Sequence, residues 1–222
     1  MTGHDPMSYR AILQRVGYLL IAVGVIDIVY MIYCIRNHID YSSSLNIFAV
    51  IAGIFLVRGN LKVTRWVTWF AAFYIAACLG LLLLWPVLFP ADLLLMEFRA
   101  APLPMAIAVV VALIFIAILI WTYTQLRSRA VVAARIAAGD SGSPPRHAFI
   151  LGAGLVVTLI AVLHFALHSG VAAKAVELAQ AQVGPGYKFH VESFDWTKEH
   201  AKATVKAYNE NEIRSVHVEW RP

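Results

Sequence analysis

Asp27 is the first residue to ask about, because it is a carboxylate inside an apolar run of about twenty residues. An ionised carboxylate in hydrocarbon is expensive and pairs, protonates or serves a transport step. At helical spacing Asp27 shares a face with Gly17, Gly24, Tyr30 and Cys34, a small and polar stripe suited to facing other helices. One reading is a proton or cation site, with Tyr30 as a hydrogen-bonding neighbour. The other is a neutral, protonated Asp27 that hydrogen-bonds an adjacent helix and fixes packing. The runs offer no Lys or Arg as an intramembrane counter-ion, which favours packing.

His164 and His168 form the second constellation, at i and i+4 near the end of the last apolar run. Two imidazoles on one helical face could begin a metal site. Zinc asks for three or four ligands, and bis-histidine haem asks for a facing histidine at matching depth. No other run supplies an interior histidine. Interfacial histidines are the plainer reading, and no cofactor is expected. Cys34 and Cys78 both fall in apolar runs, at depths that differ by about 10 Å, so two free, buried thiols are expected rather than a disulfide. The chain carries no phosphate-binding loop, dinucleotide fingerprint, HExxH, CxxC or GxSxG. An enzyme is therefore the less favoured class.

These residues sit in a chain that is 60% hydrophobic with a mean hydropathy of +0.71. Runs at 16–35, 66–89, 105–123 and 149–167 are long enough to cross a core of about 30 Å. A fifth, 44–57, is short and crosses only if residues 41–43 join it or the bilayer thins. Arg10 and Arg15, then Arg58, Lys62 and Arg65, then Arg127, Arg129, Arg135 and Arg146 fall in alternate loops; the other loops hold one basic residue each, Arg36 and Arg99. With five crossings, every basic segment lies on one side, which the positive-inside rule makes cytoplasmic. The amino terminus is then cytoplasmic and the tail from Ser169 extracytoplasmic, in a plasma or inner membrane. The formal net charge of +5 is accounted for at the membrane surface, so no nucleic-acid partner is implied. Arg127, Arg129 and Arg135 are expected to face lipid headgroups, on a continuation of the fourth spanning helix through residue 138. Residues 139–145 (GDSGSPP) read as a flexible break.

Between the runs at 66–89 and 105–123, residues 91–98 form a short apolar stretch with Asp92 near its start as a plausible cap. It reads as a helix in the membrane interface or a loop packed into the bundle. The tail has seven basic and seven acidic residues and is neutral. A weak helical stripe of Val171, Ala175, Leu178 and Gln182 precedes Gly184-Pro185-Gly186. Three alternating segments follow, around residues 187–192, 201–208 and 215–220, a three-stranded antiparallel meander. So small a unit is expected to lean on the membrane, the first outer loop or a partner.

The expected fold is an all-α integral membrane bundle of five transmembrane helices with a small C-terminal extracytoplasmic α+β domain. It divides into 1–147 (stub, four spans and basic linker), 148–168 (fifth span) and 169–222 (helix and meander). Small residues at four-residue spacing, such as Ala72, Ala76 and Gly80, allow close helix approach and homo-oligomerisation. The first functional expectation is a non-enzymatic accessory, assembly or sensing protein. Its outer domain would dock a protein partner, with Trp196, Tyr208 and Trp220 as candidate contacts. The alternatives are a small oligomeric transporter or proton-coupled permease using Asp27, and a redox or metal protein using His164 and His168. The lipid bilayer is a partner in all three.

Overall fold

The computed structural model describes residues 6–39, 46–167, 169–196, 200–209, 212–220. Among these the element order is α1 (Pro6–Arg36), α2 (Asn46–Val57), α3 (Leu61–Leu88), α4 (Ala91–Ala100), α5 (Pro102–Leu126), α6 (Arg129–Ala137), α7 (Arg146–Leu167), α8 (Gly170–Val183), β1 (Lys188–Trp196), β2 (Ala201–Tyr208) and β3 (Ile213–Trp220). Four helices, α1, α3, α5 and α7, are long and apolar enough to cross a membrane. Large apolar side chains stand outward along them, including Leu83, Ile114 and Phe165, a surface that water would not tolerate and lipid would. The apolar helices mark the chain as a membrane protein. The short run becomes α2, whose 12 residues make a helix of about 18 Å. Residues 41–43, which the five-span reading needs, lie outside the described residues.

The chain divides into two compact units, 1–77 with 115–153 and 78–114 with 154–222. In the first, α2 runs back antiparallel along α1. The contact is set by two glycines: a Cβ on Gly17 would lie 2.7 Å from the Gly53 carbonyl oxygen, and one on Gly53 would lie 2.7 Å from that of Gly17. Backbone meets backbone there, and no side chain fits. Leu13 and Val16 of α1, Leu56 of α2, Leu126 of α5 and Val131 of α6 are buried together, with Leu61 and Val63 of α3 packed against them. The start of α1, the end of α2, the start of α3 and the end of α5 therefore meet around one apolar cluster.

That cluster explains a departure from the expected continuous helix. On an unbroken helix Leu126 and Val131 would point about 140° apart. The chain breaks at Arg127–Ser128 and restarts as α6, which lets both enter the same core. The following loop is held rather than loose. Arg127 donates to the Gly142 carbonyl at 2.7 Å, and the Arg135 Nε donates to Asp140 at 2.8 Å. Gly139 (φ +86°) and Gly142 (φ +63°) take the left-handed turns the loop requires. Arg135, expected at the lipid headgroups, is 4% exposed and its charge is paired with Asp140. Arg129 is exposed.

In the second unit, α7 does not continue into the tail. Ser169 ends the run, its Oγ accepting from the Ala172 N–H at 3.4 Å to cap α8. The sheet has order β1-β2-β3, all antiparallel. One face packs on α8 through Ala172, Ala175 and Ala179 against Val191, Val205 and Val218. The buried stripe is thus this alanine row, displaced from the expected Val171–Ala175–Leu178–Gln182. Alanines on the helix allow the sheet to approach closely.

The glycine contact predicts that Gly53→Val, an overpacking change, destabilises the α1–α2 hairpin by about 1–3 kcal/mol. Gly154→Val, where a Cβ would meet nothing within 4 Å, serves as the tolerated control. Detergent-titrated unfolding of the full chain reads both.

Candidate functional site

The chemically busiest surface of the described protein lies between α4 and the sheet, within the second unit. Strand alternation decides which side chains reach it. In β2, Ala203, Val205 and Ala207 turn to α8, so Lys202, Thr204, Lys206 and Tyr208 take the opposite face. His190 pairs with Lys206 and Lys188 with Tyr208, which brings those side chains to the same face. Helix α4 presents two carboxylates to it. Lys188 pairs with Asp92 and Lys206 with Glu97. Tyr208 donates to Asp92 at 3.3 Å, and Lys206 also reaches Glu192 at 3.0 Å. Asp92 is not the helix cap expected; Pro90 holds that position. The carboxylate instead accepts from the Leu93 N–H at 3.1 Å and meets the sheet.

The electrostatics follow from this crowding. Burial works against the Lys206 ammonium, but hydrogen bonds to Glu97 and Glu192 outweigh it and hold its pKa above the ordinary lysine value. The hydrogen bond from Lys188 holds the Asp92 carboxyl below the usual carboxylate range against partial desolvation. His190 goes the other way. Burial first, then the Lys206 charge, lower its pKa, more than Glu192 and Glu97 raise it. Its ring lies 5.4 Å from that of Phe89. The group thus sets a histidine whose neutral form is favoured beside a doubly bridged ammonium.

A second clasp closes the same end of the sheet, beside the Lys188–Tyr208 pair. Tyr187 donates to Glu212, Arg214 donates to Glu212 at 3.0 Å, and the Arg214 guanidinium lies 5.9 Å from the Tyr187 ring centroid. Asn209 closes the β2–β3 turn by accepting from the Glu212 N–H at 3.0 Å.

The residues singled out in the sequence fall elsewhere. Asp27 is half-buried on α1, and Gly17, Gly24 and Cys34 of its stripe are buried. Tyr30 departs from that face: it is exposed and stacks on Tyr33 at 6.5 Å. Cys34 and Cys78 are free thiols; Cys34 is buried as expected, whereas Cys78 is only partly so. His164 is exposed, with its ring 6.4 Å from Phe165; His168 lies outside the described residues. No group of three metal-capable side chains occurs among the described residues. Of the aromatic contacts expected for a partner, Tyr208 is 4% exposed and engaged with Asp92. Trp220 packs partly against the sheet core. The side chain of Trp196 lies outside the described set. Sequence reasoning missed the α4 carboxylates as partners of the sheet. The signal available was Asp92 and Glu97 on a short helix and Lys188 and Lys206 on alternating strands, with nothing local to pair them.

Family models, curated proteins and solved structures give no match to this chain.

The lowered pKa of His190 sets a pH dependence. The unfolded chain, with a histidine near 6.5, binds the proton more readily than the folded domain. Stability is thus fully present above about pH 6.5 and falls as pH drops below it toward the folded pKa. Hydrogen exchange of β1 and β2 amides in the full chain should quicken between pH 7.5 and 5.5 after correction for intrinsic rates. His190→Phe should flatten that response; an unchanged response would exclude His190 as its source.

Proposed function

We propose that this protein is a non-enzymatic membrane accessory, assembly or sensing protein whose C-terminal α+β domain docks an extended segment of a partner protein along the edge of β3. The observation that carries this reading is an asymmetry between the two edge strands. β1 is interrupted: its register shifts between Val191 and Ser193, leaving Glu192 as the extra residue. A bulge with a charge on an edge is a common device against strand addition. β3 carries no such interruption. Its pairing with β2 runs from Ala201 opposite Trp220 to Tyr208 opposite Ile213 without a shift. The face toward α8 is filled, and part of the other is taken by α4, so a regular edge is what remains for a partner. Main-chain pairing supplies affinity in such docking, and alternate side chains supply selectivity.

The proposed topology has the amino terminus cytoplasmic, five crossings of a plasma or inner membrane, and the C-terminal domain on the far side. Two features support it. Basic residues alternate between loops, and the segments bearing Arg15, Arg58, Lys62 and Arg127 adjoin the shared Leu13 cluster. Antiparallel return of α2 along α1 is the path a second crossing would take.

A photoreactive residue at Ser215, exposed on β3, should crosslink one protein in native membranes, while the same residue at Ala173, exposed on α8, should not. Proline at Ser215, with β1–β2 exchange protection retained, should abolish that crosslink. Equal yields at the two positions, or no product at Ser215, would remove the edge as the docking element.

A further inference from the structure

A second site lies in the first unit, at the first turns of α3, and the function proposed above does not use it. Lys62, Arg65, Trp66 and Trp69 stand at i, i+3, i+4 and i+7, one stripe of the helix. The stripe faces the end of α6 and its loop across a cavity of about 560 Å3, which Arg135 and Asp140 also line. That volume is in the range of ligand sites, roughly 300–1,000 Å3. Three cations against one carboxylate leave the lining with two positive charges. Arg135 forms the fixed part, buried and clamped by Asp140. Burial raises the Asp140 pKa, but the Arg135 hydrogen bond and charge outweigh it, so the carboxylate stays ionised and occupied. Arg65 lies 3.8 Å from the same carboxylate with its side chain 71% exposed, and Lys62 is exposed beside it.

Two features separate this from an ordinary solvated basic surface. It is concave, and its cations are interleaved with tryptophans. Trp69 is held by stacking on Phe73 at 5.7 Å and by an edge contact to Phe70 at 5.2 Å. Trp66 remains exposed. Tryptophan prefers the headgroup level of a bilayer, and α3 is one of the helices apolar enough to cross one. Guanidinium and ammonium groups at that level recognise phosphate oxygens through charge-assisted hydrogen bonds, and basic pockets beside spanning helices take lipid head groups.

We infer that the cavity lined by Lys62, Arg65, Trp66, Trp69 and Arg135 binds a phosphate ester, supplied by the headgroup of an anionic phospholipid or by a soluble phosphate compound. Lys62 and Arg65 donate to the phosphate oxygens. Trp66 and Trp69 flank the glycerol or its equivalent, and Arg135, paired with Asp140, forms the fixed cavity wall.

Native mass spectrometry of the detergent-solubilised full chain tests this, titrated with phosphatidylglycerol, phosphatidylcholine or inorganic phosphate. Phosphatidylglycerol should be retained about tenfold more strongly than phosphatidylcholine, and K62Q/R65Q should cut that retention about tenfold. R58Q/R129Q removes two exposed cations that do not line the cavity and should change it by no more than about twofold. Phosphatidylglycerol that resists inorganic phosphate makes a lipid the source. Binding of inorganic phosphate that K62Q/R65Q abolishes makes it a soluble phosphate compound. Equal retention of the two lipids with no phosphate binding, or equal losses in the two double variants, would overturn the site.

Discussion

The second unit depends on a small set of charges that meet where water is partly excluded. Lys206 and Glu97 are 20% and 21% exposed, so each would be costly there without the other. Lys206 adds Glu192, and Asp92 adds Lys188 and Tyr208. Through these contacts a helix between two long apolar segments and a sheet about a hundred residues later become one body. The sheet needs this support. Its core against α8 is built largely from alanines and valines, which bury little area each, and three strands with one helix are near the lower limit of independent stability. Exposed pairs on the same sheet, such as Lys202–Glu219, add little by comparison.

Charge also orders the first unit, in another way. Apolar helices leave their cations near the ends, where they must be solvated or paired. Here one of them, Arg135, is drawn inside and neutralised by Asp140, which closes the α6 loop. Arg15, Arg58, Lys62 and Arg127 lie on segments that adjoin the shared cluster around Leu13. That cluster and the Gly17–Gly53 contact do different work. One gathers helix ends; the other sets how closely α1 and α2 lie. Neither asks for Asp27 as a packing element by itself, and its half-buried place on α1 fits either of the roles its position suggests.

Elements with a strong local signal were legible in the sequence. The four long apolar helices, the helix at 91–100, the break at Ser169–Gly170 as an open question, and the three strands all follow from run length, proline and glycine positions and two-residue alternation. What stayed hidden depends on tertiary partners. The break at Arg127–Ser128 has no glycine or proline to mark it; it exists because Leu126 and Val131 share a core. The bulge at Glu192 interrupts a segment whose alternation reads as regular from Tyr187 to Glu192. Tyr208 reads as a surface aromatic on the polar face of its strand, and only the arrival of α4 buries it. Arg135 reads as one of a series of basic residues until Asp140 closes on it. In each case the local pattern is sound, and a distant residue changes its meaning.

The central claim is that α4 holds the sheet through the Lys206–Glu97 pair. A double-mutant cycle with Lys206→Met and Glu97→Gln in the full chain tests it most directly, read by hydrogen exchange of the β2 amides. The account predicts a coupling of about 1–2 kcal/mol, with each single change loosening β2 and the double change recovering part of the loss. Additive effects of the two substitutions, with β2 protection indifferent to α4, would contradict it.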